Sequence, residues 1–65
     1  MLKFEDLIKI LDPDTQVEIL ETNNRIIERT LFTGKIRNLK TYPDYVMKII
    51  PQSTSREVYL EIQVY

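Results

Sequence analysis

The chain predicts an α+β domain. One N-terminal helix packs on a curled four-stranded antiparallel sheet made of two hairpins, with a small partly open barrel as the more closed version. Three observations carry that expectation. Phe4, Leu7, Ile8 and Leu11 recur at i, i+3, i+4 and i+7, one stripe of a helix. After Asp12-Pro13-Asp14-Thr15 the spacing changes, and Val17 and Ile19 alternate with Gln16 and Glu18 as in a strand. Near the end of the chain, Val58, Leu60, Ile62 and Val64 point one way while Tyr59, Glu61, Gln63 and Tyr65 point the other.

The helix is expected over about residues 3–11. Glu5 and Asp6 fall in its first turn, where carboxylates suit the positive end of the helix dipole. Glu5 and Lys9 form an i,i+4 pair in the favourable order. Pro13 stops the helix, because the residue before a proline is pushed out of helical backbone. Asp12 followed by Pro13 suits the first two positions of a type I turn. Asn23-Asn24 is a two-residue hairpin turn in this reading, since asparagine tolerates positive φ. The next strand then runs from near Arg25 to Arg37. Gly34, the single glycine, marks a bulge or bend in it. Residues 38–44 read as a connection anchored by Leu39. Tyr45–Ile50 is a third strand stopped by Pro51, and Gln52–Arg56 is a polar loop. Short connections favour an antiparallel meander.

Sixty-five residues make one domain, 1–65. A domain of this size buries only about 60% of its unfolded surface. No cysteine is present to add a disulfide, and no histidine or cysteine to bind zinc. The core must therefore be well packed, or a second subunit must add to it. No apolar run approaches the roughly 18 residues of a membrane span, and the N-terminus alternates charged and apolar residues unlike a signal peptide. Absence of cysteine fits a reducing cytoplasm.

The expected inner face comprises Val17, Ile19, Phe32, Ile36, Met47, Ile49, Leu60 and Ile62, covered by the helix stripe. The opposite parity is mixed: Leu20, Ile27, Leu31, Val46, Ile50, Tyr59 and Tyr65 lie among Arg25, Arg29, Lys48 and Glu61. One short helix cannot cover both faces. Either a bulge at Gly34 flips the parity and folds both sets into one core, or part of the second face binds a partner or a second copy. The second account makes Ile27, Leu31, Val46, Ile50, Tyr59 and Tyr65 a candidate protein interface.

Catalytic chemistry finds little to use. General acid–base catalysis relies most often on histidine, and nucleophilic catalysis on cysteine or a serine with a paired base. Ser53 and Ser55 sit in the polar loop with no base in view, and one glycine cannot build a phosphate-cradling loop. Asp12, Asp14 and Glu18 hint at a calcium loop, but its sixth position holds Val17 instead of glycine and its twelfth Asn23 instead of glutamate. No catalytic residue, metal site or cofactor is expected. A small-ligand site inside a curled sheet has only the fold to suggest it.

Net charge is −1, with −4 over residues 1–24, +5 over 25–56 and −2 over 57–65. Arg25, Arg29, Lys35 and Arg37 have one parity, so an unbroken strand would align them, with Lys40 and Lys48 nearby. Tyr42, Tyr45 and Tyr59 could supply stacking surfaces. Phosphate contact plus aromatic stacking is how small β-domains bind single strands, which makes nucleic acid the alternative partner. The simpler account is a row of solvated charges that keeps a sheet edge unsociable.

Residues 7–19, LIKILDPDTQVEI, resemble short phage and prophage proteins of Gram-positive bacteria, which open with an amphipathic helix, a Leu-x-Pro-Asp-Thr/Ala-type turn and a Val-x-Ile strand. The resemblance covers about the first third of the chain and implies no site residues. It implies a mobile-element accessory protein in a host bacterial cytoplasm, acting by binding, often to host proteins that include defence components.

Overall fold

The computed structural model describes residues 1–24 and 26–65. The helical stripe forms where the spacing puts it. A two-residue strand, β1 (Leu2–Lys3), leads into α1 (Phe4–Ile10), which buries Phe4 and Leu7. Ile8 and Leu11 pack against the core half-buried. The Phe4 N–H donates to the Asp44 carbonyl at 2.9 Å, so a distant loop satisfies the helix start. The turn after α1 is closed twice. The Asp12 carbonyl accepts from the Thr15 N–H at 2.9 Å, and Asp12 Oδ1 accepts from the Asp14 N–H at 2.8 Å. Asp12 and Asp14 are turn formers, as their spacing around Pro13 suggests.

β2 (Gln16–Asn23) and β3 (Ile26–Lys35) form the first hairpin. Asn24 takes φ 50°, and the last paired residues are Asn23 and Ile26. Asn23, expected in the turn, is thus still paired in the strand, and Arg25 lies outside the described residues. β3 does not continue to Arg37. It ends in a 3-10 turn at Ile36–Asn38, held by the Ile36 and Arg37 N–H groups on the Thr15 and Pro13 carbonyls (2.9 and 3.0 Å). β4 (Tyr45–Val46) pairs with β1 as a separate two-stranded sheet. β5 (Lys48–Ser53) and β6 (Val58–Val64) form the second hairpin. Pro51 lies inside β5 instead of ending it. β5 is an edge strand, where a missing N–H costs least.

The four-stranded sheet has the order β3-β2-β6-β5, and its strands do not close into a barrel among the described residues. Both hairpins are present, but the expected all-antiparallel meander is not. The central pair, β2 and β6, is parallel, with Val17 opposite Leu60 and Ile19 opposite Ile62. The registers give the reason. β3 ends at the end of the sheet where β2 begins, whereas β5 starts at the opposite end, with Lys48 opposite Gln63. Residues 36–47 must cross the length of the sheet, and a crossover of about a dozen residues is what parallel neighbours require. The arrangement also puts β2 and β6, the two strands with the cleanest apolar alternation, in the centre.

The core lies between the sheet and a layer made of α1 and the crossover. Phe4, Leu7, Val17, Ile19, Ile36, Val46, Ile62 and Val64 form it, with Phe32, Leu39, Ile49 and Leu60 packed around them. Val46 is therefore a core residue, not part of a second-face interface. It pairs with Leu2 of β1, which stays 40% exposed. The strand then breaks at Met47, which drops out of the expected inner face. Met47 is half-buried beside Thr22, whose Oγ1 lies 3.6 Å from its sulfur. Thr22 is the buried polar side chain among the described residues, and its Oγ1 donates to the Val64 carbonyl at 3.1 Å.

Candidate functional site

Two irregularities in β3 shape the surface. Ile19 pairs with Phe32 but Leu20 with Thr30, so Leu31 is an extra residue. Glu21 pairs with Arg29 but Thr22 with Ile27, so Glu28 is another. These are β-bulges, and they fall at Leu31 and Glu28, not at Gly34. Gly34 stays in register opposite Val17. Its distinction is a φ of +150°, with the Phe32 ring so close that an added Cβ would meet Cζ at 3.3 Å. The glycine lets Phe32 lie along the strand.

The bulge sets Leu31 and Phe32 together on the side of Ile19, since both face one residue of β2. The crossover passes the same side, and between them is a cleft of about 520 Å³. Ile19, Leu31, Phe32, Leu39, Tyr42 and Pro43 supply its apolar wall, and Asn38, Lys40 and Thr41 its polar margin. Volumes of about 300–1,000 Å³ are usual for binding clefts. Tyr42 is held by stacking on Phe4, with ring centroids 5.3 Å apart and planes 19° from parallel. Leu31 and Tyr42 remain 39% and 45% exposed, so the cleft is open to solvent. Among the described residues Lys40 has no ion-pair partner. The chain matches no known protein family, curated protein or solved structure.

The expected interface residues do not gather in one patch. Leu31 lines the cleft. Ile27 is exposed near the hairpin tip, and Tyr65 is exposed at the chain end. Val46 is in the core. Ile50 and Tyr59 share the outer face of the sheet and are half-buried. That face also holds Leu20, buried at 4% exposure, with Glu18, Glu61 and Gln63 half-buried around it. Gln63 Nε2 donates to Glu61 Oε2 at 2.7 Å. The outer face is thus covered by its own long polar side chains. The bulge at Gly34 that the first account requires is absent, and the residues named in the second are spread over several parts of the molecule.

The basic row is also divided. Arg29 pairs in register with Glu21 and Lys35 with Gln16. Glu21 and Gln16 stand on opposite faces of β2, so Arg29 and Lys35 do too. The bulges break the shared parity that an unbroken strand would give. Arg29 binds Glu21 with both Nε and Nη2, at 3.1 and 3.3 Å. Lys35 and Arg37 are brought together, but on Asp14, at 3.9 and 2.6 Å. Arg25 lies outside the described residues.

Lys40 and Tyr42 were expected only as supports of a nucleic-acid surface, and Pro43 was not expected as a site residue. A Tyr-Pro pair inside a polar connection was the available signal. Among the described residues no helix is long and apolar enough to cross a membrane, and no carboxylate group of three or more is placed to hold a metal ion.

Proposed function

We propose that the chain is a small non-enzymatic interaction module that holds a protein partner, or a second copy of itself, at the cleft between β3 and the crossover. One observation carries this reading. Leu31, pushed out by a bulge, and Tyr42, stacked on the core, stand partly exposed on either side of an apolar cleft. A bulge gives up ladder pairing, and bulges commonly re-aim a side chain at a functional site. The accessory role in a bacterial cytoplasm implied by residues 7–19 belongs to the same reading. Nucleic-acid binding has less support, since Arg29, Lys35 and Arg37 each face a carboxylate.

Two measurements test it. Light scattering over a wide concentration range reads self-association, with Leu31→Arg as the disrupting variant. A photo-crosslinking residue at position 31, compared with position 10 on the exposed back of α1 (Ile10 78% exposed), reads a different partner in cells. A concentration-dependent mass lost in Leu31→Arg, or crosslinks specific to position 31, supports the reading. A monomer at all concentrations with no crosslinks beyond those at position 10 overturns it.

A further inference from the structure

The cleft has a chemical bias. Its wall is apolar, and the single charged side chain on its margin, Lys40, is free of any carboxylate among the described residues. We infer that the occupant is a short acidic peptide segment of a protein partner, with an aromatic or large aliphatic side chain in the cleft and a carboxylate on Lys40. This rests on the reading of the chain as an interaction module and names what the module takes.

Three arguments select that occupant. Desolvating Leu31, Phe32 and Tyr42 requires an apolar group, because a polar one would lose its water without gaining partners there. The lone cation favours an acidic neighbour and disfavours a basic one, the use of charge that gives interfaces their specificity. Lys3, Glu5 and Asp44 line an adjoining cleft beyond Tyr42, where the carboxylates outnumber the lysine, so the carboxylate belongs at the Lys40 end. An extended segment, unlike a free small molecule, can cover an open cleft and still reach its margin. It need not add a strand. The two bulges interrupt β3, and bulges are a usual guard against strand pairing at a sheet edge.

The test is a titration of isotope-labelled protein followed by amide chemical shifts. Three blocked pentapeptides carry phenylalanine at the centre, flanked by glutamate, glutamine or lysine. Free 3-phenylpropionate is the fourth probe. The glutamate peptide is expected to move the signals of Leu31, Phe32, Lys40 and Tyr42 saturably. It should bind about fivefold more tightly than the lysine peptide, as one partly exposed ion pair allows. Lys40→Glu should reverse that order with the rest of the spectrum unchanged, and Leu31→Arg should remove binding of all three. Equal binding of the three peptides, shifts confined elsewhere, or 3-phenylpropionate binding as tightly as the peptide overturns the inference. Position-31 crosslinks without a peptide preference would sink only this inference. Peptide binding with no partner at position 31 would sink only the functional reading.

Discussion

Replacing Gly34 by alanine tests the backbone that shapes the cleft floor. At φ +150° glycine is nearly the only residue at ease, and an added Cβ would approach Phe32 Cζ to 3.3 Å. Holding a side-chain-bearing residue in such a region costs on the order of 1–3 kcal/mol. Alanine also restricts the unfolded chain, which returns about 0.4–1 kcal/mol. The net expectation is a loss of roughly 1–2 kcal/mol, out of roughly 3–10 kcal/mol for a domain of this length. Urea unfolding followed by far-ultraviolet circular dichroism reads it directly. With a slope of about 1 kcal/mol per molar, the midpoint should fall by about 1–2 M at constant slope. The melting temperature should fall by roughly 5–15 °C. Chemical synthesis is practical at this length, and D-alanine at position 34 adopts positive φ without strain. It should cost less than L-alanine. An unchanged or raised midpoint for L-alanine refutes the reasoning. Equal losses for both enantiomers would refute backbone strain as the cause.

Phe4→Ala should be far more damaging. Phe4 is fully buried and carries the Tyr42 ring, and losses of about 3–5 kcal/mol for such a truncation approach the whole stability of the domain. Loss of cooperative thermal unfolding checks it. Thr22→Val keeps the shape but removes the hydroxyl that donates to the Val64 carbonyl at 3.1 Å. It should cost about 1–3 kcal/mol in urea unfolding, with Thr22→Ser closer to wild type. Asp14→Asn removes the carboxylate shared by Lys35 and Arg37. All three side chains are more than half exposed, so the change in urea midpoint should correspond to less than about 1 kcal/mol and shrink further in salt.

The parts of the fold that were legible in the sequence are those set by local periodicity. Phe4, Leu7, Ile8 and Leu11 face the core because a 3.6-residue repeat permits no other shared face. The alternation of β2 and β6 placed Val17, Ile19, Leu60 and Ile62 correctly for the same kind of reason. What escaped depends on distant partners. The parallel pairing of β2 with β6 follows from where the crossover lands, which short-range spacing does not encode. Val46 lies in the core and Met47 beside Thr22 because the strand breaks at Met47, between β4 and β5, and the local alternation does not announce that break. The bulges at Glu28 and Leu31 have no glycine to announce them, whereas Gly34 drew attention to a residue that stays in register. The basic row depended on an unbroken β3 and divided with it.

Both free edges of the sheet are poor templates for another strand, though by different means. β5 carries Pro51 and the exposed Lys48, devices that blunt an edge. β3 has no proline, and its Ile26 and Ile27 are 68% and 51% exposed, a combination that invites pairing unless the strand is irregular. The two bulges supply that irregularity. The extra residue at Leu31 then acts twice. It breaks the edge as a pairing surface, and it brings a large apolar side chain beside Phe32 at the cleft. A bulge needed only to guard the edge could present a polar residue there. That Leu31 is apolar, lines the same cleft as Lys40 and Tyr42 and stays 39% exposed supports the proposal that a partner covers it.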